Sequence, residues 1–339
     1  MDKKRLEKMR QILERKKKIL ILTHNNPDPD AIAAGWALRY LLRDKFKVAS
    51  VFAYGGIITR AENRAMVRLL NIRLNPLEMI NVYNFSVVAL VDTQPRTGNN
   101  ALPPSIEPAI VIDHHDLRKA SQRVEFADIR PRYGSCSTIL TEYLLQGGLP
   151  IRQKMATALY YGIKSDTQDL GRDATEADAQ AMINLYPRAQ LRVLPQIEYP
   201  ELSRNYFKLF DQALHEAVVI GDVILSDLGF LVSPEMVALM ADFLLRISGV
   251  RWTFVVGTFN GRVIFSLRTK RRHQNAGLTA RRIVRGLGTA GGHGMIAGGQ
   301  IVTKGLAAET EDRICETLRN RFLKIVGRGN AKEERLIPQ

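Results

Sequence analysis

The chain has 339 residues, of which 45% are hydrophobic and 24% charged, a composition typical of globular proteins and sufficient for two hydrophobic cores. Its apolar runs are far shorter than the roughly 18 residues of a membrane-spanning helix, and its basic N-terminus lacks the apolar stretch of a secretory signal. We therefore expect a cytoplasmic protein without a membrane partner. The two cysteines, Cys136 and Cys315, lie too far apart for a short metal-binding motif, and we expect both to be packed in apolar surroundings.

The formal charge of +15 favours polyanionic partners. A basic segment near the N-terminus, 10–18, is typical of a solvated helix. The segment 262–285 differs because it carries eight Lys and Arg residues, no acid, and an interspersed glycine and apolar residues. It indicates a surface that faces phosphate groups.

A charged helix opens the chain, and apolar runs that end in polar residues follow it. KILILT, VASVFAY, SVVALVD and AIVIDHH are typical of buried parallel strands. Segments with helical spacing, such as AIAAGWALRYLLRD and ENRAMVRLLN, lie between them, and three more follow within 135–186. This order predicts an α/β N-terminal domain with a mainly parallel sheet and flanking helices.

Three prolines within 186–200 interrupt helical periodicity and indicate a linker. After it, EAVVIGDVIL, VRWTFVVGTFN and GRVIFSLRT predict strands, while MVALMADFLLRIS and AAETEDRICETLRNRFLKIV predict helices. We therefore expect a catalytic domain over 1–185, a linker and connecting helix over 186–215, a smaller α/β substrate-binding domain over 216–327 and a tail over 328–339. The active site is expected in the cleft between the two domains.

Acidic and histidine residues follow several of the predicted strands. THNNPDPDA places His24, Asp28 and Asp30 between a strand and a helix, where open α/β sheets carry their chemistry. A helix cap is the alternative interpretation of this loop. Asp92 and the run Asp113 to His115 also come at strand ends, and Asp166 ends a helical segment.

Carboxylates and imidazoles without thiolates suit Mn²⁺ or Mg²⁺ better than structural Zn²⁺. Two such ions could activate a water for attack on phosphorus and neutralise the charge that develops on the phosphoryl oxygens. The residues thus predict a phosphoester hydrolase that needs neither a serine nor a cysteine nucleophile.

The segments HNNPDPD, VDT, DHH and SD, followed by GGHGMIAGG, together resemble the DHH phosphoesterase superfamily. The resemblance extends from Leu20 to about Val326 and is strongest to the branch of oligoribonucleases (nanoRNases) and 3′-phosphoadenosine-5′-phosphate phosphatases, which carry a DHH-associated C-terminal domain. It implies two divalent metal ions, Mn²⁺ foremost with Mg²⁺ and Co²⁺ as alternatives. The family often has glycine where this chain has Pro29, a change that stiffens the loop and leaves the ligands in place.

The resemblance also implies roles for individual residues. His24 and Asp28 would hold one ion, Asp30, His114 and Asp166 the other, and Asp92 would bridge them. Asp113 and His115 would complete the catalytic set, Asp113 behind the ligands and His115 beside the scissile phosphate.

The glycine-rich segment GLGTAGGHGMIAGG contains seven glycines. Its G-x-G-x-x-G pattern does not predict a dinucleotide site, because a helical pattern precedes it where such a site needs a strand. The alternatives are a flexible turn and, from the resemblance, substrate binding by Gly291, Gly292, His293, Gly298 and Gly299. Arg268, at the end of a predicted strand, is expected to bind a terminal phosphate, with a solvated strand end as the alternative.

We therefore predict a Mn²⁺-dependent phosphoesterase that hydrolyses very short oligoribonucleotides to mononucleotides, with 3′-phosphoadenosine-5′-phosphate as a further substrate. The expected partners are short RNA or small nucleotides, and a homodimer is allowed. Alternatives are a cyclic-dinucleotide phosphodiesterase, a polyphosphatase or pyrophosphatase, and a nucleotide- or RNA-binding protein without turnover. A binding protein without turnover is expected to lack some of the metal ligands, and this chain has all of those that the resemblance implies.

Overall fold

A computed structural model describes residues 3–14, 18–58, 60–271, 274–329 and 331–338. The chain divides into two units, Met1–Glu201 and Leu202–Gln339. The finer domain boundaries expected from sequence stay a prediction. Among the described residues, no helix has both the length and the apolarity needed to cross a membrane.

The first unit is built on a parallel sheet of six strands. Its strands are β1 (Lys18–Leu22), β2 (Ala49–Tyr54), β3 (Asn75–Pro76), β4 (Val87–Val91), β5 (Ile110–Asp113) and β6 (Phe126–Ile129). Its helices are α1 (Lys3–Leu13), α2 (Pro29–Asp44), α3 (Ala61–Leu70), α4 (Cys136–Gln146), α5 (Gln153–Asp166), α6 (Glu176–Leu185) and the short α7 (Leu194–Glu198). The strand order is β3-β2-β1-β4-β5-β6, and every neighbouring pair is parallel.

Both faces of this sheet are apolar. Ile19 and Ile21 of β1 pack into the core formed with the helices, whereas Leu20 and Leu22 pack into a second cluster on the other face. A strand whose side chains are buried on both faces reads as a continuous apolar run, which is why KILIL predicts a parallel strand.

The strand order reverses at the β1 and β4 pair. From β1 the chain proceeds to β2 on one side, and β4 returns to the other side of β1. Such a reversal opens a crevice at the carboxyl ends of the two strands, where α/β sheets place their ligands. The loops that follow β1, β4 and β5 therefore meet at one edge.

The second unit has a mixed sheet of seven strands. Its strands are β7 (Val218–Ile220), β8 (Val223–Phe230), β9 (Trp252–Thr258), β10 (Arg262–Thr269), β11 (Thr289–His293), β12 (Ile296–Val302) and β13 (Glu334–Arg335), and its helices are α8 (Arg204–His215), α9 (Met236–Leu244), α10 (Ala276–Ile283) and α11 (Ala308–Ile325). The order is β11-β12-β10-β9-β8-β7-β13, with β8 and β9 parallel and the other pairs antiparallel.

The predicted α/β class of both domains is confirmed, and two details differ. The sequence predicted one strand across 216–225, but Gly221, with φ of +62°, turns the chain between β7 and β8. The glycine-rich segment forms the β11 and β12 hairpin at the sheet edge. Periodicity missed this hairpin because each of its strands carries two consecutive glycines, a residue type depleted in strands.

Candidate metal centre

The loop after β1 brings His24 and Asp28 together. Asp28 is the N-cap of α2, where its Oδ1 accepts the Ala31 N–H at 3.0 Å. The same Oδ1 lies 3.7 Å from His24 Nε2. The loop is therefore both a helix cap and part of the site, so the two interpretations of its sequence hold together.

Asp30 lies in the first turn of α2 and is buried. Its Oδ1 accepts the N–H of Ser137 and its Oδ2 that of Cys136, each at 2.7 Å. Both amides belong to the N-terminal turn of α4, where N–H groups lack partners within the helix. They fix the orientation of this carboxylate.

Asp92 follows β4 in the left-handed conformation, with φ of +58°. Its carboxylate is buried, with Oδ2 3.4 Å from His24 Nε2 and Oδ1 3.4 Å from His114 Nε2. The two oxygens thus face two imidazoles that come from different loops, an arrangement compatible with the predicted bridging role.

His114 follows β5, and its Nε2 lies 3.2 Å from Oδ2 of Asp166, the last residue of α5. The ligand atoms of His24, Asp28 and Asp92 lie within 4.8 Å of one another, and so do those of Asp30, His114 and Asp166. All six side chains predicted to hold metal are therefore brought together, in the two groups that the resemblance implies. Their roles as ligands stay a prediction.

The tautomers of both histidines follow from their backbone contacts. Nδ1 of His24 faces the Asn25 carbonyl at 2.9 Å, and Nδ1 of His114 faces that of Tyr133 at 3.1 Å. A carbonyl can only accept, so Nδ1 carries the proton and Nε2 points at carboxylates. Burial lowers the pKa of each imidazole, but hydrogen bonds with neighbouring aspartates, Asp92 for both, raise it well above the ordinary value. A proton or a metal ion is needed between these groups.

Two of the carboxylates, those of Asp30 and Asp166, repel their acidic neighbours. Burial and the neighbouring Asp28 raise the pKa of Asp166 to about 7, against the opposing effect of His114. Burial, with Asp92 and Asp166, raises the pKa of Asp30 well above its ordinary value. Divalent cations would relieve this repulsion, and a set of oxygen and imidazole donors fits Mn²⁺ or Mg²⁺.

Asp113 is buried behind this cluster and holds His115. Its Oδ1 lies 2.9 Å from His115 Nδ1 and accepts the His114 N–H at 2.9 Å. Burial lowers the pKa of His115, whereas the bond to Asp113 and the charge of Asp92 raise it, with a net upward shift. The pair can present a protonated imidazole.

Gln94 was not identified from the sequence. It is buried, and its Nε2 donates to Asp113 Oδ2 at 2.6 Å and to the Asp116 carbonyl at 3.0 Å. Its Oε1 accepts the Arg118 N–H and the Ser121 hydroxyl, each at 2.8 Å. Its place two residues after Asp92 was the one available signal, and nothing in the local pattern sets this glutamine apart.

Cys136 also lies at the site, although apolar packing was all that the sequence predicted for it. Its thiol is buried, 3.6 Å from Asp92 Oδ1, and its ligand atom groups with those of Asp30 and Asp92. Burial and these carboxylates raise the pKa of the thiol well above its ordinary value. Both cysteines are free and buried, as expected.

The predicted phosphate ligand Arg268 is already paired. It is 5% exposed; its Nε donates to Asp242 Oδ1, and its Nη1 donates to Ser266 Oγ at 2.7 Å and to the Ala297 carbonyl at 3.2 Å. These bonds hold β10, and a phosphate would compete with Asp242 for the guanidinium. Phosphate binding by Arg268 stays a prediction.

The glycines predicted to bind substrate occupy the β11 and β12 hairpin. Gly292 has φ of +146°, and a Cβ there would lie 2.3 Å from the Ile296 carbonyl oxygen. A Cβ on Gly299 would lie 2.5 Å from the Phe265 ring, whereas Gly291 faces open space. Packing therefore explains two of the glycines without a ligand. Gly298 pairs with Gly291 across the hairpin, and the side chain of His293 lies outside the described part of the chain.

Comparison with known families agrees with this geometry. Residues 18–163 match the model for the DHH family, N-terminal domain, and residues 219–324 match the DHHA1 domain. An uncharacterized protein of Methanocaldococcus jannaschii is 34% identical over 333 residues, which are 96% of this chain and 68% of that protein. The chain belongs to the DHH family. Members of this superfamily are phosphoesterases.

Two further matches are more distant. A probable manganese-dependent inorganic pyrophosphatase of Streptococcus mutans is 27% identical over 172 residues, 49% of this chain and 53% of that protein. The crystal structure of an exopolyphosphatase-related protein from Bacteroides fragilis superposes with a TM-score of 0.74 at 15% identity, covering 96% of this chain and 98% of that one. At that identity the superposition shows a shared fold.

Proposed function

We propose that this DHH protein uses two divalent metal ions, Mn²⁺ foremost, to hydrolyse very short oligoribonucleotides to mononucleotides, and that 3′-phosphoadenosine-5′-phosphate is a second substrate. The binding of two metal ions is supported above all by the position of Asp92. Its two carboxylate oxygens face the Nε2 atoms of His24 and His114 at 3.4 Å. Two imidazole acceptors aimed at one buried carboxylate call for cations between them.

Bound ions would neutralise charge on the phosphoryl group and lower the pKa of a water. The chain itself would hold His24, Asp28 and Asp92 as one set of ligands and Asp30, His114 and Asp166 as the other. His115, protonated with the help of Asp113, would donate its proton to the leaving oxygen.

The nucleotide part of the proposal is supported by the second unit. The DHHA1 match covers the glycine hairpin and the basic segment 262–285, which contains eight Lys and Arg residues and no acid. Cations clustered in this way favour phosphate-rich ligands. Gly291 and His293 remain the proposed contacts, since Gly291 borders open space.

A second candidate substrate is inorganic pyrophosphate or polyphosphate. It is favoured by the relative described as a probable manganese-dependent inorganic pyrophosphatase, which is similar to about half of this chain. Both candidate reactions would use the same metal-binding residues, and only the substrate would differ.

One panel of substrates tests the proposal. Chelated protein, reloaded with Mn²⁺, is incubated with RNAs of two to five nucleotides, phosphoadenosine phosphate, cyclic dinucleotides, pyrophosphate and polyphosphate. We expect mononucleotide release from the shortest RNAs, and none from an Asp92→Asn variant. Release of phosphate from pyrophosphate alone would favour the second candidate. No turnover of any substrate by protein with full metal occupancy would contradict an enzymatic function.

A further inference from the structure

The first unit has a large surface cavity, open to solvent and built from three segments. Its volume is about 750 Å³, within the range of about 300–1,000 Å³ typical of small-molecule sites. Residues of α2, of the turn after α3 and of the start of α5 line it. None of the predicted metal-binding residues does.

The cavity is separate from the candidate metal centre. Asp30 lies in the first turn of α2, whereas the cavity begins at Trp36 and extends to Arg43 near the end of that helix. On α5 the order along the helix is reversed. Met155, near the start of the helix, lines the cavity, whereas Asp166 of the metal centre is its last residue. At 1.5 Å per residue, Trp36 and Arg43 lie roughly 9 Å and 20 Å from Asp30 along α2.

Positive charge dominates the cavity wall. The lining cations are Arg39, Arg43, Arg73, Arg152 and Lys154, and no aspartate or glutamate lines it. Burial lowers the pKa of Arg39, and the nearby charges of Arg43 and Arg73 lower it further. Arg43 is paired with Asp44, but no ion pair to an acid is found for Arg39, Arg73 or Arg152 among the described residues. The cavity thus concentrates cations, and a bound anion would reduce the repulsion among them.

The start of α5 adds backbone donors. Its N-cap, Arg152, makes no side-chain hydrogen bond to the helix, and the first turn contains no acid. The cavity wall follows the chain from Arg152 to Met155, so that it includes this turn. The first N–H groups of a helix have no partner within it, and with the helix dipole they favour a phosphate.

Aromatic surface completes the cavity. Trp36 and Tyr40 stand one helical turn apart on α2, and both rings are half-buried. The Tyr40 hydroxyl donates to the Pro150 carbonyl at 2.8 Å, which holds the ring beside the loop that leads into α5. Planar bases stack on such rings, and Asn71 and Gln190 supply amide groups in the same cavity.

We propose that this cavity binds a nucleoside monophosphate, with its phosphate at the start of α5 and its base against Trp36 and Tyr40. It is a second ligand site, distinct from the metal centre and independent of the reaction proposed there. Helices α2 and α5 each contribute residues to both sites.

The test is titration calorimetry on the full chain with AMP, in the presence of a chelator so that metal-dependent binding at the other site is removed. We expect one AMP bound per chain. The double variant Arg152→Gln/Lys154→Gln removes two exposed cavity cations and should weaken binding about tenfold or more, which is about 1.4 kcal/mol. The matched control Lys8→Gln/Arg10→Gln removes two exposed cations of α1 and should leave the affinity unchanged.

Fluorescence supplies an independent measurement. The chain has two tryptophans, and Trp252 is 3% exposed in the second unit. AMP should quench the wild-type protein and should not quench the Trp36→Phe variant. Adenosine and inorganic phosphate should each bind more weakly than AMP.

Several outcomes would overturn the proposal. AMP affinity that is equal in the cavity variant and in the wild type would place AMP elsewhere. Phosphate that binds as tightly as AMP would reduce the cavity to a simple anion site. Binding of single-stranded RNA through Arg152 and Lys154, without binding of AMP, would assign the cavity to a nucleic-acid strand instead.

Discussion

Asp92 combines burial, a left-handed backbone and contacts with two imidazoles. A non-glycine residue at positive φ is uncommon, and Asp and Asn tolerate it better than most. Strain of this kind persists where the surrounding structure holds it in place, often at functional sites. The backbone turn directs the carboxylate back between His24 and His114.

We expect Asp92→Asn to lose metal and activity while keeping its fold, because asparagine tolerates the same φ and has the same size but lacks the charge. Elemental analysis after dialysis should find less than one metal ion per chain in the variant. The matched control is Asp113→Asn, which changes a buried carboxylate behind the cluster and should keep its metals. Full metal occupancy in Asp92→Asn would exclude a bridging role.

Gln94 donates a hydrogen bond to Asp113, which in turn holds His115. We expect Gln94→Leu to reduce kcat roughly 10- to 100-fold, the usual effect of removing a partner behind an active group. Metal content should not change, since Gln94 contacts none of the predicted ligands. Ser121→Ala, which removes only the hydroxyl donor to Gln94, should have a smaller effect. Loss of metal in Gln94→Leu would point to a general disturbance of the loop.

At the scale of elements, β6 is tied to its neighbours by a buried ionic cluster. Asp128 is 3% exposed and accepts hydrogen bonds from Arg130 and from Tyr143 of α4, the latter at 2.7 Å. Arg5 of α1 also pairs with it. Burial alone would raise the pKa of Asp128, but the bond and charge of Arg130, with Tyr143 and Arg5, lower it below the ordinary value.

This lowered pKa makes stability depend on pH. A carboxylate whose pKa is lower in the folded state stabilises the fold fully above its unfolded pKa of about 3.9, and that contribution is lost as pH falls through the folded value. We expect Asp128→Asn to reduce the free energy of unfolding by about 3 kcal/mol at pH 7. The difference from wild type should shrink as pH falls below about 4. Urea unfolding between pH 7 and pH 2.5 measures both, and a difference that is constant with pH would contradict the ionic role.

In the second unit, the contacts of Arg268 stabilise secondary structure and involve no ligand. Arg268 lies in β10, an interior strand of the sheet, and bonds Asp242 of α9 and Ser266 of its own strand. It therefore holds helix to sheet. Its side chain is 7% exposed, so a phosphate role would require Asp242, which is 49% exposed, to move away.

For the whole molecule, the charge of +15 should govern the capture of anionic substrates. Exposed charges are screened over about 8 Å at physiological ionic strength. We expect kcat/KM for a dinucleotide to fall as NaCl is raised, with kcat nearly constant, because salt weakens attraction before binding. Hydrolysis of a singly charged aryl phosphodiester is the control and should depend less on salt. If kcat/KM for the dinucleotide did not change with NaCl, the basic segment 262–285 would be ordinary solvated surface without a role in substrate capture.

The sequence by itself determined the fold class and which histidines and aspartates come together at the candidate metal centre. Buried parallel strands appear as continuous apolar runs, so β1, β4 and β5 were visible, and polar residues directly after such runs mark the carboxyl edge of a sheet. His24, Asp92 and His114 stand at these positions. The resemblance of the combined motifs to the DHH superfamily then supplied the expected grouping of the ligands.

Only the tertiary structure decided which side chains from distant segments contact one another. Gln94, Cys136 and the pairing of Arg268 with Asp242 depend on contacts between segments distant in sequence, and no local pattern encodes such contacts. The basic cavity is the clearest case, because Trp36 and Arg39, Arg73 and Arg152 come from three segments that each read as ordinary helix surface or turn. Periodicity reports which face of a helix is solvated, and packing alone decides whether that solvated face lines a cavity.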